Sequence, residues 1–284
     1  MFQWVDVCRE RPAVMGIVNV TPDSFSDGGR WLDADAATWH GLELVADGAD
    51  LLDVGGESTR PGAEPVSEAE ELQRVIPVIN GLVAETDVPV SIDTTKAAVA
   101  AAALEAGASI VNDVSAGRFD PEILSVSGGS GAGYVTMHML GEPRTMQQDP
   151  RYDDVVVDVG RFLVERLAVA RDAGIASESL IADPGLGFGK SVAHNLELLA
   201  RLDELVALLD VRLLVGPSRK GFIASVLAAG GEPPEPDARE EGTLATVVWA
   251  LDRGASVVRV HDARSAARAV RLLDVMRRAE EAAA

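Results

Sequence analysis

Cysteine is nearly missing from this chain of 284 residues: Cys8 stands alone, so no disulfide can form within it. A core of this length needs none. No run reaches the roughly 18 uninterrupted apolar residues of a membrane-spanning helix. The N-terminal "MFQWVDVCRER" has no long apolar segment beside a basic flank. No signal peptide is therefore expected, and a cytoplasmic location is. Only four histidines occur, with no His/Cys cluster, which argues against a zinc site. Positive charge is scarce too, with 25 basic against 45 acidic residues and a net charge of −20. That balance excludes nonspecific binding to nucleic acid or anionic membranes. It fits either a GC-rich genome with an acidic soluble surface or adaptation to high salt, where screening tolerates dense charge. Lysine is rarest of all, just Lys96, Lys190 and Lys220, so a lysine inside a glycine- or serine-rich motif is not surface filler.

What is present is a repeated alternation. Short Val/Ile/Leu-rich runs at 13–20, 49–56, 88–94, 108–114, 133–139, 179–185, 211–217 and 256–262 read as strands buried on both faces of a parallel sheet. Amphipathic segments between them predict helices over 34–46, 68–85, 96–106, 155–173, 195–208 and 264–281. Ser67 is expected as the second helix's N-cap, with Glu70 as capping-box partner. The segment after Asp120 leads into "SGGSGAG" and gives the weakest helical pattern. "GGEPPEPDARE" (230–240) cannot be helical through its prolines and reads as a peripheral insertion between two helices. Eight strand–helix units without a linker predict a single domain over 1–284, a (β/α)8 TIM barrel. A doubly wound open sheet is the alternative, but no glycine-rich phosphate turn follows the first strand.

In such a barrel the active site gathers at the carboxyl ends of the strands. Polar residues stand there on nearly every strand: Asn19, Asp53, Asp93, Asn112 with Asp113, His138, Asp183, "PSRK" (217–220), and Arg259 with His261. One such residue is usually a cap or turn former. A full ring of them is costly to bury without a ligand or mutual pairing. Asp93, Asn112, Asp183 and Lys220 form a donor and acceptor set suited to a flat, nitrogen-rich heterocycle. Arg60, Arg259 and His261, with the glycines of "GGESTRPG", suit a phosphate or pyrophosphate. "SRK" opens a helix and favours a further anion such as a carboxylate. Asn19, a hard oxygen ligand, could hold magnesium bridged by a polyphosphate. No residue stands out as a general base.

The ordered motifs "MGIVNVTPDSFSDGG", "DVGGESTRPG", "VSIDTTK", "VNDVSAG", "MHMLGEPRTMQ", "DPGLGFGK", "GPSRKGFI" and "RVHD" resemble those of dihydropteroate synthases from about Val14 to Asp262. The resemblance implies a barrel enzyme that joins p-aminobenzoate to 6-hydroxymethyl-7,8-dihydropterin pyrophosphate and releases pyrophosphate. It implies that Asp93, Asn112, Asp183 and Lys220 hold the pterin, with Met137 and Phe188 packed nearby. Asn19 would ligate Mg2+ on the pyrophosphate, whose oxygens Arg60, Arg259 and His261 would grip. Ser218 would lie at the p-aminobenzoate carboxylate, and Thr59 and Phe25 would close over that second substrate. A homodimer is also implied. A pterin-binding methyltransferase barrel would share Asp93, Asn112 and Asp183 but would not need the cationic set. A non-catalytic paralogue would lose the loop residues first, and "NVTPDSFSDGG" and "GGESTRPG" are intact. Ala116 stands where the family commonly has glycine, a departure expected to be tolerated.

Overall fold

The computed structural model describes residues 1–21, 30–58 and 64–283, with residues 30–33 described by their backbone alone. Phe25, Thr59 and Arg60 therefore lie outside the described residues. Eight strands, β1 (Ala13–Asn19), β2 (Leu51–Gly55), β3 (Val90–Asp93), β4 (Ile110–Asp113), β5 (Gly133–Met137), β6 (Leu180–Asp183), β7 (Arg212–Val215) and β8 (Val257–Val260), run parallel in chain order. β1 also pairs with β8, from Ala13 opposite Val257 to Gly16 opposite Val260, and closes the barrel. The expected (β/α)8 architecture is the one found.

The helices are α1 (Trp4–Val7), α2 (Arg30–Ala46), α3 (Glu68–Glu85), α4 (Ala97–Glu105), α5 (Glu122–Ser130), α6 (Val155–Asp172), α7 (Val192–Ala200), α8 (Leu202–Leu208), α9 (Gly221–Leu227), α10 (Glu240–Asp252) and α11 (Ala263–Ala283). Ser67 caps α3 by accepting from the Glu70 backbone N–H, but Glu70's carboxylate turns to Arg74 one helical turn on, so the box is only half made. The helix expected over 195–208 starts earlier and breaks at Arg201 into α7 and α8. Its cap is Ser191, in a capping box with the His194 side chain. The weakly patterned α5 does form, and includes Gly128 and Gly129 before a left-handed Gly131 ends it. A methyl group on Gly128 would lie 2.8 Å from the Ala173 carbonyl oxygen, so this glycine lets α5 approach the end of α6.

Alternation along the strands sorts residues between two packing layers. Val14, Leu52, Ile92, Val111, Ala182, Val215 and Val258 face outward and pack with the helices. Met15, Leu51, Ile110, Val135, Ile181, Leu214 and Val257 form an apolar cluster inside the barrel. Trp4 on α1 joins that cluster and is 1% exposed. Its indole N–H donates to the Ser179 carbonyl at 2.9 Å, which satisfies its one polar group. The amino end of the barrel is thus plugged with apolar side chains. Most inward positions at the other end are polar: Asn19, Asp53, Asp93, Asn112, Asp183 and Arg259.

Candidate active site

A cavity of about 690 Å3 opens at the carboxyl ends of the strands. Among the residues expected from sequence, Asn19, Asp93, Phe188, Ser218, Lys220, Arg259 and His261 line it. Asn112, Met137 and Asp183 do not reach its wall, but each is buried close by. Met137 and Phe188 share one apolar cluster with Val114, Met139 and Met146. A methyl group added at Gly216 would lie 3.7 Å from Arg259 Cβ and 4.0 Å from Asp183 Oδ2. Gly216 thus lies between the arginine and the carboxylate, at ordinary contact distance from both.

The charges are tightly arranged. Arg259 donates through Nε to Asp53 Oδ2 at 2.5 Å and through Nη2 to Asp93 Oδ2 at 2.8 Å. Nη1 has no partner among the described residues. Asp53 is fully buried, and the same Oδ2 accepts from Asn112 Nδ2 at 2.9 Å. Burial pushes the Asp93 carboxyl up to about 7, against the pull of the Arg259 guanidinium. Burial likewise raises Asp183 to about 6, although its Oδ1 accepts from the Gly185 N–H at 2.7 Å. The Lys220 ammonium lies 4.0 Å from the Phe188 ring centroid, a cation–π contact. Burial, with Arg259 nearby, brings Lys220 down to about 8. Three groups at or beneath this cavity are therefore shifted toward neutrality.

The "SRK" turn is held by strain and by ion pairs. Arg219 sits at φ +58, in the left-handed region that costs a non-glycine residue roughly 1–2 kcal/mol. Its guanidinium pairs with Asp237 at 2.7 Å and Glu240 at 2.5 Å, and its carbonyl accepts from Arg239 at 2.9 Å. Pro236 and Arg239 also line the cavity. The insertion over 230–240 is thus part of the site's support and not peripheral, a correction that no local pattern announced. Ser218 accepts from the His261 backbone N–H at 3.2 Å, and its hydroxyl lies 2.8 Å from His261 Nδ1. The hydroxyl joins the turn after β7 to the end of β8 rather than standing free. α9 begins only after Lys220 and has seven residues.

Two polar strand ends do not belong to the mouth. Asp113 accepts from the N–H groups of Ser115 (2.7 Å) and Gly117 (2.6 Å) and from the Tyr134 hydroxyl (2.7 Å), and so shapes the turn after β4. His138 lies 2.8 Å from the Lys190 ammonium and edge-on to Phe162. Burial, with Lys190 beside it, brings His138 down to about 2, so it is neutral. Lys190 in turn donates to the carbonyls of Gly185 (3.0 Å) and Phe188 (3.1 Å), which fixes the loop that carries Phe188. Gly185 is at φ +66, and a methyl group there would collide with the His138 carbonyl at 2.0 Å. Both features explain why the motif is "PGLGFGK".

The remaining lysine has a similar task. Lys96 bridges Glu57 (2.5 Å) and the fully buried Glu71. Glu57 also accepts from the Val66 N–H at 3.1 Å, and Arg74 donates to the Gly56 carbonyl at 2.7 Å. These bonds tie both ends of the loop after β2. In the sequence, only its rarity marks Lys96. Asp53 stands at a strand end with no role evident from sequence, and its signal is a charge at an inward position of an otherwise apolar "LLDVG".

Asn19 is the one hard oxygen donor expected to hold a metal, and among the described residues its side chain has no hydrogen-bond partner. Nor do any three His, Cys, Asp or Glu side chains there group to bind a metal by themselves. That donor set fits a magnesium ion carried largely by phosphate oxygens, with one protein ligand. No helix among the described residues is long and apolar enough to cross a membrane.

Residues 15–261 match the family of pterin binding enzymes. The dihydropteroate synthase of a Synechocystis species is 45% identical over 97% of this chain and 92% of its own length. The Xanthomonas albilineans dihydropteroate synthase with 4-aminobenzoic acid matches with a TM-score of 0.87 and 48% identity over 94% of both chains. The same enzyme in complex with 7,8-dihydropteroate gives 0.84 and 46%, again over 94% of each. Identity this high, over a fold this complete, leads to one conclusion: the chain belongs to the pterin-binding enzymes and, within them, to the dihydropteroate synthases, transferases of folate biosynthesis.

Proposed function

We propose that the whole chain, 1–284, serves one site that condenses 6-hydroxymethyl-7,8-dihydropterin pyrophosphate with p-aminobenzoate to give 7,8-dihydropteroate and pyrophosphate. The observation that carries the reading is convergence. Asn19, Arg259 and His261 share one cavity with Asp93, Lys220 and Phe188. The first group suits a magnesium-bound pyrophosphate and the second a pterin ring.

Asp93 and Asp183, once ionised, accept from the ring's N–H groups, and Asn112 supplies a further acceptor. Lys220 donates to the ring's carbonyl or nitrogen edge while its ammonium stays over Phe188. Met137 packs beneath. Arg259 and His261, with Arg60 from the loop after β2, grip the pyrophosphate. Ser218 fixes the imidazole through Nδ1 and lines the cavity where the p-aminobenzoate carboxylate rests. Thr59 and Phe25 cover that second substrate. Bound at Asn19, magnesium supplies charge neutralisation on the leaving pyrophosphate.

The bond from the pterin methylene to the pyrophosphate oxygen breaks as the arylamine nitrogen bonds to the same carbon and loses a proton. Positive charge develops on that methylene and negative charge on the departing oxygens. Fixed cations at the latter are the main catalytic contribution. An arylamine is nucleophilic without deprotonation, so this chemistry needs no strong general base. Positioning and exclusion of water do the rest.

A homodimer is the assembly we propose. Leu272, Val275 and Met276 stand 58–62% exposed on one stripe of α11, and Val248 and Trp249 are exposed on the neighbouring α10.

Calorimetric titration with the pterin that lacks its pyrophosphate tests the pocket assignment. Asp183→Ala and Lys220→Ala should each lose at least tenfold in affinity, whereas His261→Ala should not. Equal losses in all three, or none, would contradict the division of the site.

A further inference from the structure

We propose that Asp53, which lies outside the cavity wall, is the positioning residue that sets both halves of this site at once. The inference rests on the reading that Asn112 serves the pterin and Arg259 the pyrophosphate. Asp53 is fully buried, on the inward face of β2. Its single oxygen Oδ2 takes Arg259 Nε at 2.5 Å and Asn112 Nδ2 at 2.9 Å. These two donors come from β8 and β4, so one carboxylate ties together strands that do not pair with one another.

Each bond has a consequence for recognition. A carboxylate only accepts, so it holds the NH2 end of the Asn112 amide toward itself and leaves Oδ1 as the end available to a ligand. The pocket therefore selects a heterocycle with an N–H donor at that edge. At Arg259, anchoring Nε removes much of the rotamer freedom of a long side chain and leaves Nη1 for an anion. Arginine free to swing would have to be ordered by the substrate at every turnover.

Stability alone does not account for the arrangement. Asp53 Oδ1 is buried with no partner among the described residues, as is Oγ of Ser91, its register neighbour on β3. The interior cluster below them, with Met15, Leu51 and Ile110, is built from apolar side chains. A buried ion pair is commonly no more stable than an apolar replacement of the same volume. An under-satisfied carboxylate kept here is better explained by the two groups it aims.

The test is a pair of double-mutant cycles read as binding and turnover. Asp53→Asn keeps the shape and removes the charge. It should lower kcat/KM for the pterin pyrophosphate by about 10–100-fold, by analogy with the outer groups that orient metal ligands. KM for p-aminobenzoate should stay within about twofold. Made in Arg259→Ala, the change should cost magnesium pyrophosphate no further affinity. Made in Asn112→Ala, it should cost the pterin none. Wild-type kcat/KM in Asp53→Asn, or the same loss in both backgrounds, would overturn the positioning role. If Arg259→Ala and Asn112→Ala themselves leave pyrophosphate and pterin affinity unchanged, the reading of the site fails instead. A measurement on the unaltered protein stands even if Asp53→Asn does not fold. The Arg259 Nε–H resonance in a 15N spectrum should lie downfield, exchange slowly and persist when magnesium pyrophosphate is added; loss of that resonance on addition would refute the anchor.

Discussion

Arg259→Ala should injure folding as well as catalysis, and the structure sets the size of the effect. The guanidinium pairs with two carboxylates, Asp53 with no exposure and Asp93 with a side chain 12% exposed, and is itself 20% exposed. Removing one partner of a buried pair costs about 3–5 kcal/mol because the other charge is left uncompensated. The open cavity lets water reach Asp93 but not Asp53, so the lower end applies, about 3 kcal/mol. For a chain of this length that is a fall in Tm of roughly 5 °C. The effect should depend on pH. Asp93 titrates at about 7 with Arg259 present, and higher without it. A group with a raised folded pKa loses its stabilising contribution as pH rises through that value. The variant's deficit is therefore greatest above pH 8 and shrinks by pH 5, where Asp93 is protonated in both proteins. Thermal unfolding followed by circular dichroism at pH 5 and pH 8 checks this. A wild-type Tm at pH 8, or a larger deficit at pH 5, would refute the reasoning.

Asp183→Asn should do the opposite to stability while abolishing most activity. The carboxyl is raised from 3.8 to about 6, so its contribution is full below 3.8 and lost as pH rises through 6. The asparagine variant escapes that loss, roughly 3 kcal/mol at pH 8 and about 0.5 kcal/mol at pH 4, as a pair of melts would show. The pH profile of kcat/KM for the pterin pyrophosphate should rise through 6–7 as Asp183 and Asp93 ionise and fall through 8 as Lys220 loses its proton; a flat profile from 5.5 to 9 would contradict these assignments. Ala116 is held at φ +55, so the departure from glycine is a strained position rather than a neutral one. Ala116→Gly should stabilise by about 1 kcal/mol, seen as a small rise in Tm without change in kcat.

Much of this was legible in the sequence, for identifiable reasons. Strands of a parallel sheet are buried on both faces, so each left an apolar run, and nearly every run ended in a polar residue. The helices followed from periodicity and caps. What escaped reading depends on contacts between distant positions. Nothing near Trp4 shows that it plugs the barrel beside Met15 and Leu51. Nothing near Asp237 or Glu240 shows that they brace Arg219 in a left-handed turn. His138 and Asp113 end strands as the site residues do, yet their side chains point away from the mouth, toward Lys190 and Tyr134. A one-residue difference in register decides between a ligand-facing group and a structural one. The roles of Asp53, Lys96 and Lys190 required knowing what lies opposite them across the fold.

The most direct test of the central claim is pyrophosphate release measured with magnesium and the pterin pyrophosphate, with and without p-aminobenzoate. The account predicts release that depends on p-aminobenzoate, matches 7,8-dihydropteroate formed one for one, and falls by orders of magnitude in Arg259→Ala assayed below its melting temperature. Absence of p-aminobenzoate-dependent release at every salt concentration from low to molar KCl would contradict it.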